Sequence, residues 1–155
     1  MYRKVLVPLD GSELAECALN HVKSLSKDGS VGEITILNIM KVDIPWLSSE
    51  DEHEHKQFDI NKIREKVSNA SQEYLADVES RLASEGFNVK TESREANRPA
   101  QAIIEYALEK GIDMIVIATH GYTGMKGMMM GSVALSVIHQ SHVPVLLIRP
   151  EACHV

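Results

Sequence analysis

Five strand-like runs alternate along this chain with segments whose apolar residues recur every three or four positions. The runs are Lys4 to Leu9, Glu33 to Met40, Phe87 to Ser93, Asp113 to Ala118, and the proline-bracketed stretch His142 to Pro150. Asp113 to Ala118 is almost continuously apolar, as a central strand covered on both faces is, whereas Phe87 to Ser93 alternates in polarity and fits a sheet edge. Strand and helix repeated in this order imply an α/β fold: a parallel sheet with helices on both faces, joined by right-handed crossovers. Ligands of such sheets bind beyond the carboxyl ends of the strands, where the winding reverses.

The helical segments carry their own punctuation. Ser12 is a good N-cap for a helix over Glu13 to Ser26, and Gly86 stops a one-sided apolar stripe running from Phe58 to Ser84. Pro99 sits at the start of a third helix, where its missing donor costs least, and Gly111 ends it. Between the second strand and second helix, residues 41 to 57 read as a long irregular loop with Trp46 and an acidic run containing His53 and His55. That run reads as a solvated segment rather than a metal site, because the two histidines have no anchoring partner elsewhere.

At 155 residues the chain is one domain's worth, a single unit over 1 to 155. A formal charge of −6 argues against nucleic-acid or anionic-membrane partners, both of which rely on cationic surface. No apolar run approaches the roughly 18 residues of a membrane span, and Met1 to Lys4 lead straight into a strand, so a cytoplasmic location is expected. Cys17 and Cys153, far apart in sequence, are expected to be reduced thiols.

The stretch Ile112 to Ser141 carries the chemistry. Behind the strand Asp113 to Ala118 come Thr119-His120-Gly121-Tyr122-Thr123-Gly124-Met125-Lys126-Gly127, three methionines, and Gly131-Ser132 opening a helical run. Glycines at 121, 124, 127 and 131 allow positive φ and bring bare N–H groups near a ligand, while Ser132 brings a hydroxyl to a helix N-terminus. This is the chemistry of an anion cradle, phosphate above all. It is neither a Walker A loop, since Ser132 follows glycine and not lysine, nor a dinucleotide fingerprint, since G-x-G-x-x-G is absent.

Ala118-Thr119-His120-Gly121, nine residues, then Gly131-Ser132 closely resembles the ATP-binding signature G-x2-G-x9-G-[S/T] of the universal stress protein family, with Ala118 in place of its first glycine. Val7-Pro8-Leu9-Asp10-Gly11-Ser12 and His142 to Arg149 match the same family, so the resemblance covers essentially the whole chain. It implies a Rossmann-like five-stranded parallel sheet of order 3-2-1-4-5. It also implies that Asp10 lies near an adenosine, that Ile39 lines an adenine pocket, and that the 121 to 131 loop and Ser132 hold ribose and phosphates. The nucleotide-binding set carried over in this way is Pro8, Leu9, Asp10, Ile39, Ala118, His120, Gly121, Gly124, Gly131, Ser132 and Val133. The implied ligand is ATP, or AMP or ADP, with Mg2+ or Mn2+, and the implied assembly is a homodimer through Val145 to Ile148. An apolar strand at a sheet edge independently asks for something to pair with it.

Three function classes stay open at this stage. The first is an ATP-binding stress-response regulator in which phosphates order the glycine-rich loop and so change the surface offered to partners. The second is an adenine-nucleotide hydrolase or transferase on the same scaffold; adenylating relatives carry S-G-G-x-D-S after the first strand, whereas this chain has Leu9-Asp10-Gly11-Ser12, and no residue is assigned a catalytic role. The third is a dimeric scaffold without nucleotide. His120 reads as a hydrogen-bonding residue, since no nucleophile or carboxylate is placed beside it by spacing. Lys126 either neutralises phosphate or faces water, and Met125, Met128, Met129 and Met130 fill space beneath the loop.

Overall fold

The computed structural model describes residues 1–42, 53–120 and 130–149. The element order is β1 (Tyr2–Pro8), α1 (Glu13–Lys27), β2 (Val31–Met40), α2 (His53–Ser84), β3 (Val89–Glu95), α3 (Pro99–Lys110), β4 (Met114–Ala118), α4 (Ser132–Gln140) and β5 (Val145–Ile148). All strand pairings are parallel and the sheet order is β3-β2-β1-β4-β5, as the resemblance implied. β1 therefore sits at the centre, with Val5 opposite Ile34 on one side and Met114 on the other.

Side chains alternate across the pleat and so feed two cores. Val5, Val7, Ile34, Ile36 and Val116 point to one face, where Ala18 and Val22 of α1 and Leu75, Val78 and Leu82 of α2 cover them. Leu6, Ile115 and Ile117 point to the other, under Ile103 and Ala107 of α3 and Val137 of α4. A sheet buried on both faces has few polar positions to spare in its middle, which is why β4 reads as an unbroken apolar run.

The caps behave as the sequence requires. The Ser12 hydroxyl accepts from the Ala15 N–H at 3.1 Å, with Glu13 and Glu16 in the first turn of α1. Gly111 ends α3 at φ 63, a left-handed conformation that explains why glycine stands there.

Two expectations are corrected. α2 begins at His53, inside the segment read as irregular over 41 to 57. His53 to Gln57 contains no proline or glycine to break a helix. Residues 43–52, with Trp46, lie outside the described residues. Cys17, buried on α1, is disulfide-bonded and not a reduced thiol, and no described cysteine is free. Cys153 lies outside the described residues.

Candidate functional site

β1 and β4 are neighbours, but the chain after β1 continues to β2 on one side while the chain after β4 continues to β5 on the other. Connections that diverge from adjacent strands leave a crevice at their carboxyl ends. A cavity of about 450 Å³ lies there, within the range typical of small-molecule sites. It is lined by apolar residues, among them Leu37, Ile39, Pro99, Ile103 and Ile117, and by the polar residues Asp10, Thr119, His120 and Ser132.

The β1 side of the crevice is a built turn. Asp10 Oδ1 accepts from both the backbone N–H of Ser12, at 2.9 Å, and its hydroxyl, at 2.6 Å. Gly11 between them takes φ 86, a conformation that penalises any side chain. Asp10 therefore shapes the entry to α1 and lines the cavity at once.

The β4 side is fixed through Thr119. Its N–H donates to the Ile148 carbonyl at 2.9 Å, its carbonyl accepts from the Gly131 N–H at 2.7 Å, and its hydroxyl pairs with His120 Nδ1 at 2.9 Å. Gly131 has φ −57, an ordinary value, so the freedom to adopt positive φ is not what selects glycine here. Space selects it: a Cβ at Gly131 would come 3.0 Å from the Thr119 carbonyl oxygen. The Gly131 N–H, committed to Thr119, is not one of the bare donors expected from the sequence.

Those donors are one residue further on. The first intrahelical bond of α4 runs from the Leu135 N–H to the Gly131 carbonyl, at 3.0 Å. The N–H groups of Ser132, Val133 and Ala134 precede it, have no intrahelical acceptor, and belong to residues that line the cavity. Ser132 does not cap its own helix; α4 has no side-chain cap. The aligned peptide dipoles make that end of the cavity favourable for an anion. Nearby, His120 Nε2 is buried with no hydrogen-bond partner among the described residues. With Nδ1 engaged by Thr119, either neutral tautomer leaves Nε2 as a polar atom that a partner would satisfy.

Of the residues singled out in the sequence, Pro8, Leu9, Asp10, Ile39, Ala118, His120, Gly131, Ser132 and Val133 all border this one cavity. Gly121, Gly124 and Lys126 lie outside the described residues. Sequence reasoning missed Leu37, Lys41, Pro99 and Ile103. Leu37 lies in β2 near Ile39 and Lys41 just past its end, and Pro99 and Ile103 lie in the first turns of α3, so the rule that sites collect at carboxyl ends was the signal that could have found them. Among the described residues no group of three or more His, Cys, Asp or Glu could hold a metal ion. No described helix is long and apolar enough to cross a membrane.

Fold and cavity together define an α/β protein with a cavity of small-molecule size at the switch point of a 3-2-1-4-5 sheet. Residues 1–149 match the universal stress protein family, and the chain belongs to that family. It is 30% identical over 167 residues to the universal stress protein MJ0577 of Methanocaldococcus jannaschii, covering 96% of each chain. The solved structure of MJ0577 superposes with a TM-score of 0.80 at 31% identity, again over 96% of each. More distant in sequence, sharing the fold, are an Arabidopsis thaliana family member solved with AMP bound and a universal stress protein solved in complex with cAMP. The first has 16% identity, TM-score 0.63 and coverage of 95% and 91%; the second has 18%, 0.57, and 96% and 98%.

Proposed function

We propose that this chain binds ATP in the cavity between β1 and β4 and acts as a nucleotide-dependent regulator in the stress response. The observation that carries this reading is the mixed lining of the cavity, apolar side chains together with the first-turn amides of α4. Leu37, Ile39 and Ile103 suit a purine base, and the first-turn amides of α4, which have no intrahelical acceptor, suit phosphate. His120 Nε2, without a partner among the described residues, adds one more polar atom for a ligand to meet. AMP and cAMP in the two distant relatives support the adenine part of the proposal.

Mg2+ or Mn2+ belongs to the proposal as a cation carried in on the phosphates, since such ions keep several waters and need few protein ligands. A homodimer through Val145 to Ile148 is also part of it. β5 is an edge strand and Leu146 on it is 37% exposed, and an apolar edge of this kind is a template for pairing. Residence in the cytoplasm completes the picture.

The switch part is tested by amide hydrogen exchange at Thr119, His120 and residues 131–134 with and without MgATP. Protection gained on binding supports a surface change beside the pocket. Equal protection in both states would refute the switch.

A further inference from the structure

Leu9 is where the chain leaves the sheet for the cavity, and both its backbone groups are held. Its N–H donates to the Leu37 carbonyl at 2.9 Å, prolonging the β1–β2 ladder. Its carbonyl is met by a side chain: Asn38 Nδ2 donates to it at 2.8 Å. A carbonyl only accepts, so Asn38 must turn its NH2 toward Leu9, which leaves Oδ1 facing the other way. There the Ser71 hydroxyl donates to it at 2.7 Å. Asn38 on β2 and Ser71 on α2 are both buried, in surroundings that otherwise carry apolar side chains. Buried polar groups of this kind persist only when every atom is satisfied, and a satisfied chain is rigid. The strut runs from α2 through β2 to the end of β1, and the next residue, Asp10, lines the cavity.

We propose that Asn38 and Ser71 are positioning residues for the ligand cavity, fixing the Pro8-Leu9-Asp10 wall from behind. Neither side chain lines the cavity, so neither touches a ligand, and their effect reaches it through the Leu9 carbonyl. The proposal deepens the nucleotide-binding reading and rests on it for the ligand, but the placement of the turn is measurable without one.

The test compares full-length Ser71→Ala, Ser71→Thr and Asn38→Leu with Val78→Ala. Val78 is a fully buried α2 residue that packs in the same core and takes no part in the strut. Amide exchange at Asp10 and Ser12 is measured first, then MgATP affinity by calorimetry. Removing the Ser71 hydroxyl is expected to speed exchange at those two amides by about three- to tenfold and to weaken MgATP by a similar factor, the scale of one lost hydrogen bond. Ser71→Thr, which keeps the hydroxyl, is expected to restore both. Val78→Ala is expected to lower the melting temperature and leave both unchanged. Identical exchange at Asp10 and Ser12 in Ser71→Ala and Val78→Ala would overturn the proposal. If Asn38→Leu fails to fold, Ser71→Ala decides the matter alone. A wild type that shows no saturable MgATP binding would defeat the nucleotide reading, while the exchange data would still decide the strut.

Discussion

The Gly131 N–H donates to the Thr119 carbonyl at 2.7 Å, and a Cβ on Gly131 would sit 3.0 Å from that same oxygen. One contact thus ties the end of β4 to the start of α4 and leaves a Cβ only a very tight fit. Gly131→Arg is expected to weaken ATP by at least tenfold, equivalent to about 1.4 kcal/mol, because the α4 amides move with the junction. Ser132→Ala, which keeps the backbone donors, is expected to lose less, about threefold or under. Titration calorimetry on both variants checks the ordering, and equal losses would contradict it.

The topology was legible because the sequence's period changes from helical to strand-like at nearly every element boundary. β4 and the Pro99 start and Gly111 stop of α3 fall where the sequence put them, within a residue. The register and order of the sheet were not legible from pattern alone, since every buried parallel strand reads the same; they came from the resemblance. The start of α2 was misjudged because an acidic, histidine-containing run looks solvated whether or not it is helical. At the site, residue identity found the polar lining but not Leu37 or Ile103, which are ordinary core residues until the fold brings their ends to the crevice.

Arg94 gathers a second cluster away from the cavity. Its guanidinium lies 4.6 Å from the centroid of the Tyr106 ring and reaches Glu109 at 2.9 Å and Glu92 at 3.4 Å, linking β3 to α3. Desolvation lowers the pKa of the guanidinium, but its hydrogen bonds to Glu109 and Glu92 and their charges outweigh this and raise it above the ordinary value. Arg94→Ala is expected to destabilise the fold by about 1 kcal/mol, the sum of a partly exposed pair and a cation–π contact. Arg94→Lys is expected to recover part of this, since an ammonium cannot stack as a planar group does. Urea denaturation measures both, and Arg94→Ala at wild-type stability would remove the cluster's role.

Tyr106 gives the fold an alkaline limit. Burial, its hydrogen bond to Glu92 at 2.9 Å and the nearby carboxylate charge raise its hydroxyl to about 12, against an ordinary value near 10. A raised acid binds its proton more tightly folded than unfolded. Its contribution is whole below about pH 10 and is lost as pH climbs toward about 12. Tyr74 is shifted in the same direction by burial and by Glu16. Stability is therefore expected to fall over that window, and Tyr106→Phe to flatten part of the fall. Unfolding free energies measured across alkaline pH, with identical slopes in the two proteins, would contradict this.

Chelation separates the phosphate end of the cavity from the base end. If the cation rides on the phosphates, removing it with EDTA is expected to weaken ATP by tenfold or more, about 1.4 kcal/mol, and to leave AMP within about twofold. Competition between the two nucleotides with and without chelator reads this directly. Loss of AMP to the same extent would mean a cation held by the protein itself.

The central claim is that the crevice between β1 and β4 is an adenine-nucleotide site. Calorimetric titration of the full chain with MgATP, beside Gly131→Arg, tests it most directly. One saturable site per chain at about micromolar affinity, roughly −8 kcal/mol, weakened at least tenfold in the variant, is the expected result. No saturable heat in the wild type, or equal binding by the two proteins, would contradict it.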